Sequence, residues 1–345
     1  MGLQTYWGDD GERFWFKPRQ KVSESQEIIQ PKIRKTYKQN WSIYTLHQTT
    51  EKLMVYKIFN DVIDYLDIHQ VYKGNGRPNV NLKDMLKCLC IQIYNGPSSR
   101  RNNSELILVQ GLGYINKTYH FTTICKYLRK QELTHLLHYL YKTLAEPLKT
   151  LENYFSIDAT GFSTFDRKKW IEVRLETKQH KDYKKLHALC GNLTNVVVSV
   201  EVTEGTQHES PYFKVLLRDA AKRFSIKEIC ADSGYLSREN CNISQELNIE
   251  PFILPKKNSI ALAKGSQAWH KMIRLWKDNL EVFKEHYHRR SNIETVFSMI
   301  KKKFRHYVRS KDDIAKINEI LCLICCHNAC VLAEALLAYD LKLDF

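Results

Sequence analysis

The spacing of apolar residues divides the chain into a helical first part and a second part in which strands and helices alternate. Residues 50–68 and 81–94 carry apolar side chains at helical spacing, and Asn81 stands where it can cap the second helix. Residues 132–150 predict a further helix. From residue 153 the pattern changes to short apolar or β-branched runs, which are typical of strands.

The second part predicts a mixed sheet flanked by helices. Strand-like runs occupy residues 154–157, 170–176, 185–190, 195–203, 228–231 and 251–255. Helical spacing returns at residues 211–224 and 238–247 and continues after the last run. A succession of strands followed by alternating strands and helices is typical of a mixed α/β fold. We therefore expect two domains, a helical one over residues 1–150 and an α/β one over residues 151–345.

Two segments of the first part call for separate interpretation. Residues 1–40 are polar, charged and aromatic without periodicity, which predicts a loosely ordered arm. Further on, Ser104 can cap a short helix over residues 105–110, and a second helix can begin near His120. This pair resembles a helix-turn-helix with basic residues on its second helix, although many helical bundles contain such a pair. The basic residues are Lys126, Arg129 and Lys130.

The charge of the chain favours a nucleic-acid partner. The 345 residues carry a formal net charge of +15. Residues 1–150 hold 22 Lys and Arg against 13 Asp and Glu, and residues 251–311 hold 15 against 4. Residues 201–250 have a small acidic excess instead. Basic regions concentrated in this way are the electrostatic footprint of a protein that binds DNA or RNA.

The cysteines indicate a reducing compartment and a buried helix. No secretory signal is recognised in the chain, so its ten cysteines are expected as free thiols in the cytoplasm. Cys322, Cys325, Cys326, His327 and Cys330 resemble a metal cluster, but no second Cys-x-x-Cys pair accompanies them. A core helix is the favoured interpretation. His327, Asn328 and Glu334 argue against a membrane span.

One segment near the C-terminus places polar and charged residues on a single helix face. Tyr287, Arg290, Glu294 and Lys301 recur at intervals close to whole helical turns. The opposite face is apolar and suits packing onto a core. Its residues are Ile293, Val296, Phe297, Ile300 and Phe304. The Glu294 carboxylate can hold a divalent cation, and the basic side chains can hold phosphate. Taken alone, the same pattern also describes a solvated helix with ordinary ion pairs.

Two aspartates upstream favour the cation site over the solvated helix. Asp158 follows an apolar run and precedes a turn expected at Gly161, and Asp232 stands in the same relation to residues 228–231 and Gly234. Either aspartate alone could simply cap the turn that follows it. Two strand-end carboxylates and one helix carboxylate together favour a site for Mg²⁺ or Mn²⁺.

The order Asp, Asp, then Tyr-x2-Arg-x3-Glu-x6-Lys resembles the signature of DDE-type insertion-sequence transposases with a ribonuclease H-like core. The resemblance is clear over residues 150–335 and loose before them. Arg305 departs from it, because a glycine is expected soon after Phe304. The resemblance implies a ribonuclease H-like mixed sheet, catalysis of DNA cleavage and strand transfer, and two bound Mg²⁺ or Mn²⁺ ions.

The resemblance also assigns residues and partners. Asp158, Asp232 and Glu294 are the expected catalytic metal ligands, and Arg290, Lys301 and Tyr287 the expected phosphate contacts. The partners are double-stranded DNA at the element ends and at the target, with a homodimer when two ends are paired, and no membrane. The implied location is the cytoplasm, on the nucleoid. Two alternatives remain open: a nuclease or resolvase without strand transfer, and a catalytically idle DNA-binding derivative.

Several conspicuous residues receive structural interpretations. His187 lies in a strand-like run and is expected to be a buried structural histidine. Trp269 and Trp276 are spaced for a helical core seam, although stacking on a displaced base is an alternative. Lys302 and Lys303 are expected to be solvated.

Overall fold

The structure is a computed structural model that describes residues 4–7, 13–16, 40–69, 80–164, 183–341 and 343. The chain divides into two compact units, Met1–Asn40 and Trp41–Phe345. In the first unit, β1 (Gln4–Trp7) pairs antiparallel with β2 (Arg13–Phe16), where the sequence predicts no regular structure. The rest of the expected arm and the strand expected at residues 170–176 lie outside the described residues.

Helices follow in the first part of the second unit, as the apolar spacing predicts. They are α1 (Trp41–Tyr65), α2 (Leu82–Asn95), α3 (Asn103–Gly111), α4 (Phe121–Leu128) and α5 (Gln131–Ala145). The Asn81 side chain caps α2 by accepting hydrogen bonds from the backbone N–H groups of Lys83 and Asp84. It thereby pairs two donors that the first helical turn leaves without partners, so this cap prediction is confirmed.

The expected helix-turn-helix is not formed. Helix α3 begins before Ser104, whose hydroxyl donates to the carbonyl of Arg101 at 3.1 Å instead of capping the helix. Residues 112–120 separate α3 from α4, whereas a helix-turn-helix has a turn of about three or four residues. The basic side chains in and directly after α4 are exposed. They are Lys126, Arg129 and Lys130.

The strands of the second unit form one mixed sheet. They are β3 (Tyr154–Thr164), β4 (Tyr183–Gly191), β5 (Val197–Glu204), β6 (Glu228–Ala231), β7 (Glu250–Ile253) and β8 (Tyr307–Val308). The order across the sheet is β5-β4-β3-β6-β7, and β8 pairs with the far end of β3. The first three strands form an antiparallel meander, and β6 and β7 add in parallel. The expected mixed sheet is confirmed.

The remaining helices connect and cover these strands. They are α6 (Ser210–Ala221), α7 (Arg238–Glu246), α8 (Gln267–Asp278), α9 (Leu280–Tyr287), α10 (Ser291–Lys303) and α11 (Asp313–Ala338). Helix α6 lies between β5 and β6 in the chain, and α7 lies between β6 and β7. This alternation agrees with the expected order of elements.

Helix α11 is the central element of the core. It packs on α1, α2 and α5 on one side and on β5 on the other. The Asn328 amide donates to the carbonyls of Tyr141 and Val197 at 3.1 and 2.8 Å, which ties α5 to the sheet. Helices from before residue 150 therefore share their core with the sheet. The division into a DNA-binding domain over residues 1–150 and a catalytic domain over residues 151–345 stays a prediction.

The cysteines of α11 are buried free thiols in this core. Cys322, Cys325 and Cys326 are completely buried, and Cys330 is nearly so. They belong to no group of potential metal ligands within the described part of the chain. The helix is long and apolar enough to cross a membrane, but 83% of its most apolar window is buried inside the protein. The core-helix interpretation is confirmed.

Candidate active site

Asp158 lies within β3, and not at its end. Its backbone pairs with Ala188 of β4, while the parallel pairing of β3 with β6 stops one residue earlier, at Ile157 and Ala231. The prediction of a turn at Gly161 is wrong, because pairing with β4 continues the strand to Thr164. Asp158 thus marks the point at which one neighbouring strand ends while the other continues.

Asp232 follows the last residue of β6. Its side chain accepts a hydrogen bond from the Gly234 N–H at 2.8 Å and caps a short 3-10 turn over Ser233–Tyr235. The prediction of a strand, an aspartate and a glycine-containing turn is confirmed here. Because β6 and β3 are parallel neighbours, the two aspartates meet at the same edge of the sheet.

Glu294 lies in the first turn of α10, and the helix face expected around it is interrupted. Helix α9 ends at Tyr287, a 3-10 turn covers His288–Arg290, and α10 starts at Ser291. The prediction of a single helix from Tyr287 to Lys301 is therefore wrong. The apolar side of α10 is as predicted, since Ile293, Val296, Phe297 and Ile300 are buried and Phe304 partly so.

Arg290 connects two of the three predicted carboxylates. Its Nη1 donates to Asp158 Oδ2 at 3.1 Å, and its Nη2 forms a short ion pair with Glu294. The 3-10 turn places this guanidinium between the sheet and α10. The structure brings Arg290 to the predicted site, with carboxylates as its present partners. A contact to phosphate stays a prediction.

Lys301 and Tyr287 lie at the borders of the same region. The Lys301 ammonium donates to the Thr160 hydroxyl at 2.6 Å. Thr160 follows Asp158 by two residues on β3, so both side chains point to one face of the sheet. Burial lowers the pKa of Lys301. Tyr287 is half-buried and stacks on Phe283, with ring centroids 5.8 Å apart.

Glu209 is a residue that the sequence pattern does not reveal. It immediately precedes α6, and its carboxylate lies with those of Asp158 and Asp232 in a group whose ligand oxygens are all within 4.8 Å of one another. Glu294 is not a member of this close group. A glutamate before a helix N-terminus is common and carries no distinguishing signal, so only the fold identifies it.

The clustered charges change the acidity of Asp158. Burial is the main cause that raises its pKa to about 6, and the nearby carboxylates of Asp232 and Glu209 raise it further. The Ala159 N–H and Arg290 oppose this shift. Carboxylate oxygens at such close range repel one another, and a hard divalent cation prefers oxygen ligands of this kind. The donor set therefore fits Mg²⁺ or Mn²⁺.

The residues given structural roles are mostly as expected. His187 is buried and contacts the Thr203 hydroxyl at 3.0 Å, and Trp269 is buried and donates to the Ile260 carbonyl at 3.0 Å. Lys302 and Lys303 are exposed, as expected, and the Lys303 ammonium also forms a short ion pair with Glu51 of α1. The helix end is thereby tied to the N-terminal helices.

One of three comparisons with known proteins identifies a family. A family model described as the transposase DDE domain matches residues 150–329. Among solved structures, a chain of the pre-cleavage Mos1 transpososome is similar over 79% of this chain and 100% of its own length, with 11% identity and a TM-score of 0.21. No curated protein matches the chain. The family match includes Asp158, Asp232 and Glu294.

Proposed function

This chain belongs to the transposase DDE domain family, whose model covers more than half of it, and on that basis we propose that it binds the ends of an insertion sequence and catalyses metal-dependent DNA cleavage and strand transfer. The observation that carries the proposal is the convergence of the acidic residues. Asp158 and Asp232 lie at neighbouring strands, and Arg290 joins Asp158 to Glu294.

Asp158, Asp232 and Glu294 are proposed to hold two Mg²⁺ or Mn²⁺ ions. Bound at such carboxylates, the ions supply activation of the attacking oxygen and stabilisation of the leaving oxygen in phosphoryl transfer. The chain itself orients the ligands. The Ala159 N–H donates to Asp158 Oδ1 at 2.8 Å, and the Gly234 N–H donates to Asp232 at 2.8 Å. Each of the two aspartates is thereby oriented by one backbone donor.

Arg290 and Lys301 are proposed to hold the DNA end beside these carboxylates. The Arg290 guanidinium is planar and offers several donors, so it can contact a phosphate while it remains near Asp158. Lys301 of α10 is a compact cation that contacts Thr160 on the face of β3 that carries Asp158. Both lie close enough to the predicted metal ligands to bind a phosphate there. Tyr287, at the border, is proposed as a further phosphate contact.

A joining assay tests the proposal. Pre-cut DNA ends and a supercoiled target are incubated with wild type, with Arg290→Ala and with Lys301→Ala. We expect each variant to lower the yield of joined product by about 10- to 100-fold, because the freed 3′-hydroxyl must stay docked to attack a second duplex. Lys302→Ala is the matched control, since Lys302 is exposed beside Lys301. It should join within about twofold of wild type.

Three outcomes would change the assignment. Wild-type protein that cleaves its ends but never yields joined product would favour the nuclease or resolvase. Specific binding without cleavage in Mg²⁺ or Mn²⁺ would favour the idle derivative. Joining by both variants at the wild-type level would remove the roles proposed for Arg290 and Lys301 and leave the family membership intact.

DNA binding at the C-terminal end of α4 is proposed from the exposed basic side chains there. Lys126 and Arg129 are exposed, and they lie in the basic N-terminal half of the chain. Each lysine or arginine on a phosphate displaces a counterion, which contributes about 0.9 to the slope of log K against log salt. The double variant Lys126→Ala with Arg129→Ala should therefore lower that slope by about 1.8, measured by competition with the full-length protein.

The full chain is required because α11 completes the core around α1, α2 and α5. Arg218→Ala with Lys222→Ala is the control, since it removes the same charge from α6 and the residue that follows it, in an acidic region of the chain. An unchanged slope in the α4 variant would place the phosphate contacts elsewhere. A homodimer at paired ends and a location on the nucleoid belong to the same proposal.

A further inference from the structure

We infer that Glu209 is a fourth acidic residue of this active site and that it ligates the divalent cation held by Asp158 and Asp232. The inference rests on the proposed metal-dependent function. Glu209 shares the close group of carboxylates with the two aspartates, whereas Glu294 reaches Asp158 through Arg290. The acidic residues therefore form two sets that share Asp158: one on the Glu209 side and one on the Glu294 side.

The two oxygens of Glu209 face different partners. Oε1 accepts from the Lys185 ammonium at 3.3 Å, and Lys185 is itself held by the Gln207 carbonyl at 2.9 Å. Oε2 lies toward Gly234, where an added Cβ would be 3.3 Å from this oxygen and 3.0 Å from Asp232 Oδ1. Lys185 thus fixes the carboxylate through one oxygen and leaves the other facing Asp232.

The Tyr235 hydroxyl gives a second and independent indication of a ligand. Tyr235 is completely buried, and its hydroxyl has no hydrogen-bond partner among the residues that the structure describes. Tyr235 belongs to the 3-10 turn that Asp232 caps, and after burial itself the charges of Glu209, Asp158 and Asp232 raise the pKa of its phenol. A buried hydroxyl without a partner costs about 1–3 kcal/mol.

A bound divalent cation would account both for the clustered carboxylates and for the Tyr235 hydroxyl. A divalent ion relieves the repulsion of three carboxylates that would otherwise face one another, and the ligand oxygens and waters around it offer acceptors to the phenol. An ordinary surface cluster of acids requires neither a fixed lysine behind it nor a buried phenol beside it. Glu209 acts on the cation directly, and Lys185 and Tyr235 act as positioning residues.

Manganese binding in the absence of DNA tests the inference. Full-length protein is titrated with Mn²⁺, and free Mn²⁺ is measured by electron paramagnetic resonance. Glu209→Gln keeps the shape of the side chain and removes its charge, so we expect about a tenfold or larger loss of affinity. Asp158→Asn should lose at least as much. Glu246→Gln, a glutamate paired with Arg218 on the surface, is the control and should bind as wild type.

The outcomes separate this inference from the proposed function. If Asp158→Asn weakens binding and Glu209→Gln does not, the role of Glu209 is wrong and the metal site stands. If wild type binds no Mn²⁺, or binds it as well as Asp158→Asn does, both are wrong. Thermal unfolding of each variant without metal shows whether a loss of affinity reflects a loss of folding. Glu209→Asp, which retains the charge, should recover part of the affinity if Glu209→Gln is unstable.

Discussion

Cleavage of cognate DNA ends is expected to fall by about a thousandfold or more when Asp158 is replaced by Asn, and by a similar factor for Asp232→Asn and Glu294→Gln. The amides keep the shape of the side chains and remove the charge that holds a divalent cation. Excess chelator should have the same effect on the wild-type protein. The rate of strand cleavage in Mg²⁺ and in Mn²⁺ is the measurement.

DNA affinity provides the internal check on this result. Each substitution removes a negative charge from a site that faces phosphate, so binding of the DNA end at fixed salt should be unchanged or slightly tighter. Asp278→Asn, at an exposed aspartate beside Arg274, is the control and should cleave normally. Full activity in chelator, or in any of the three variants, would contradict the proposed metal site.

The second large effect concerns stability, at the residue that departs from the family pattern. Arg305 stands where a glycine is expected, and its guanidinium donates to Glu319 of α11 at 2.8 Å. The side chains are only 6% and 2% exposed. Breaking one partner of a buried ion pair costs about 3–5 kcal/mol, because the other charge is left buried without compensation. Arg305→Met should therefore lower the melting temperature by roughly 5–10 °C.

Glu319 should be the more sensitive partner. Its carboxylate also accepts the backbone N–H groups of Arg309 and Ser310, both at 2.8 Å, so Glu319→Leu leaves three donors unpaired. The matched control is Arg218→Met, whose pair with Glu246 is largely exposed and should contribute at most about 1 kcal/mol. Equal melting temperatures for Arg305→Met and Arg218→Met would show that the buried pair contributes no more than a surface pair.

The parts of the site that the sequence predicts are those fixed by local interactions. Asp232 follows the strand-like run of residues 228–231, and its turn depends on its own side chain and on Gly234. The α2 cap at Asn81 is local in the same sense. The buried face of α10 follows from helical spacing alone. In each case the residues that determine the local structure lie within a few positions of one another in the sequence.

The parts that the sequence misses depend on distant partners. The strand after Asp158 continues through Gly161 because β4 pairs with it, and no residue near Asp158 carries that information. Arg290 lies in a 3-10 turn between two helices, which the even spacing of the motif conceals. Glu209 reaches the aspartates because β5 and α6 return the chain to the same edge of the sheet. Such proximity is a property of the topology.

The position of α11 in the chain determines when the core can form during synthesis. The helices α1, α2 and α5 are synthesised well before α11, the element that covers their apolar faces. Those faces stay without their native partner until α11 has been synthesised, and exposed apolar surface of this kind promotes aggregation or chaperone binding. A chain interrupted before Asp313 therefore lacks the helix that completes the core around α1, α2 and α5, and it is expected not to fold.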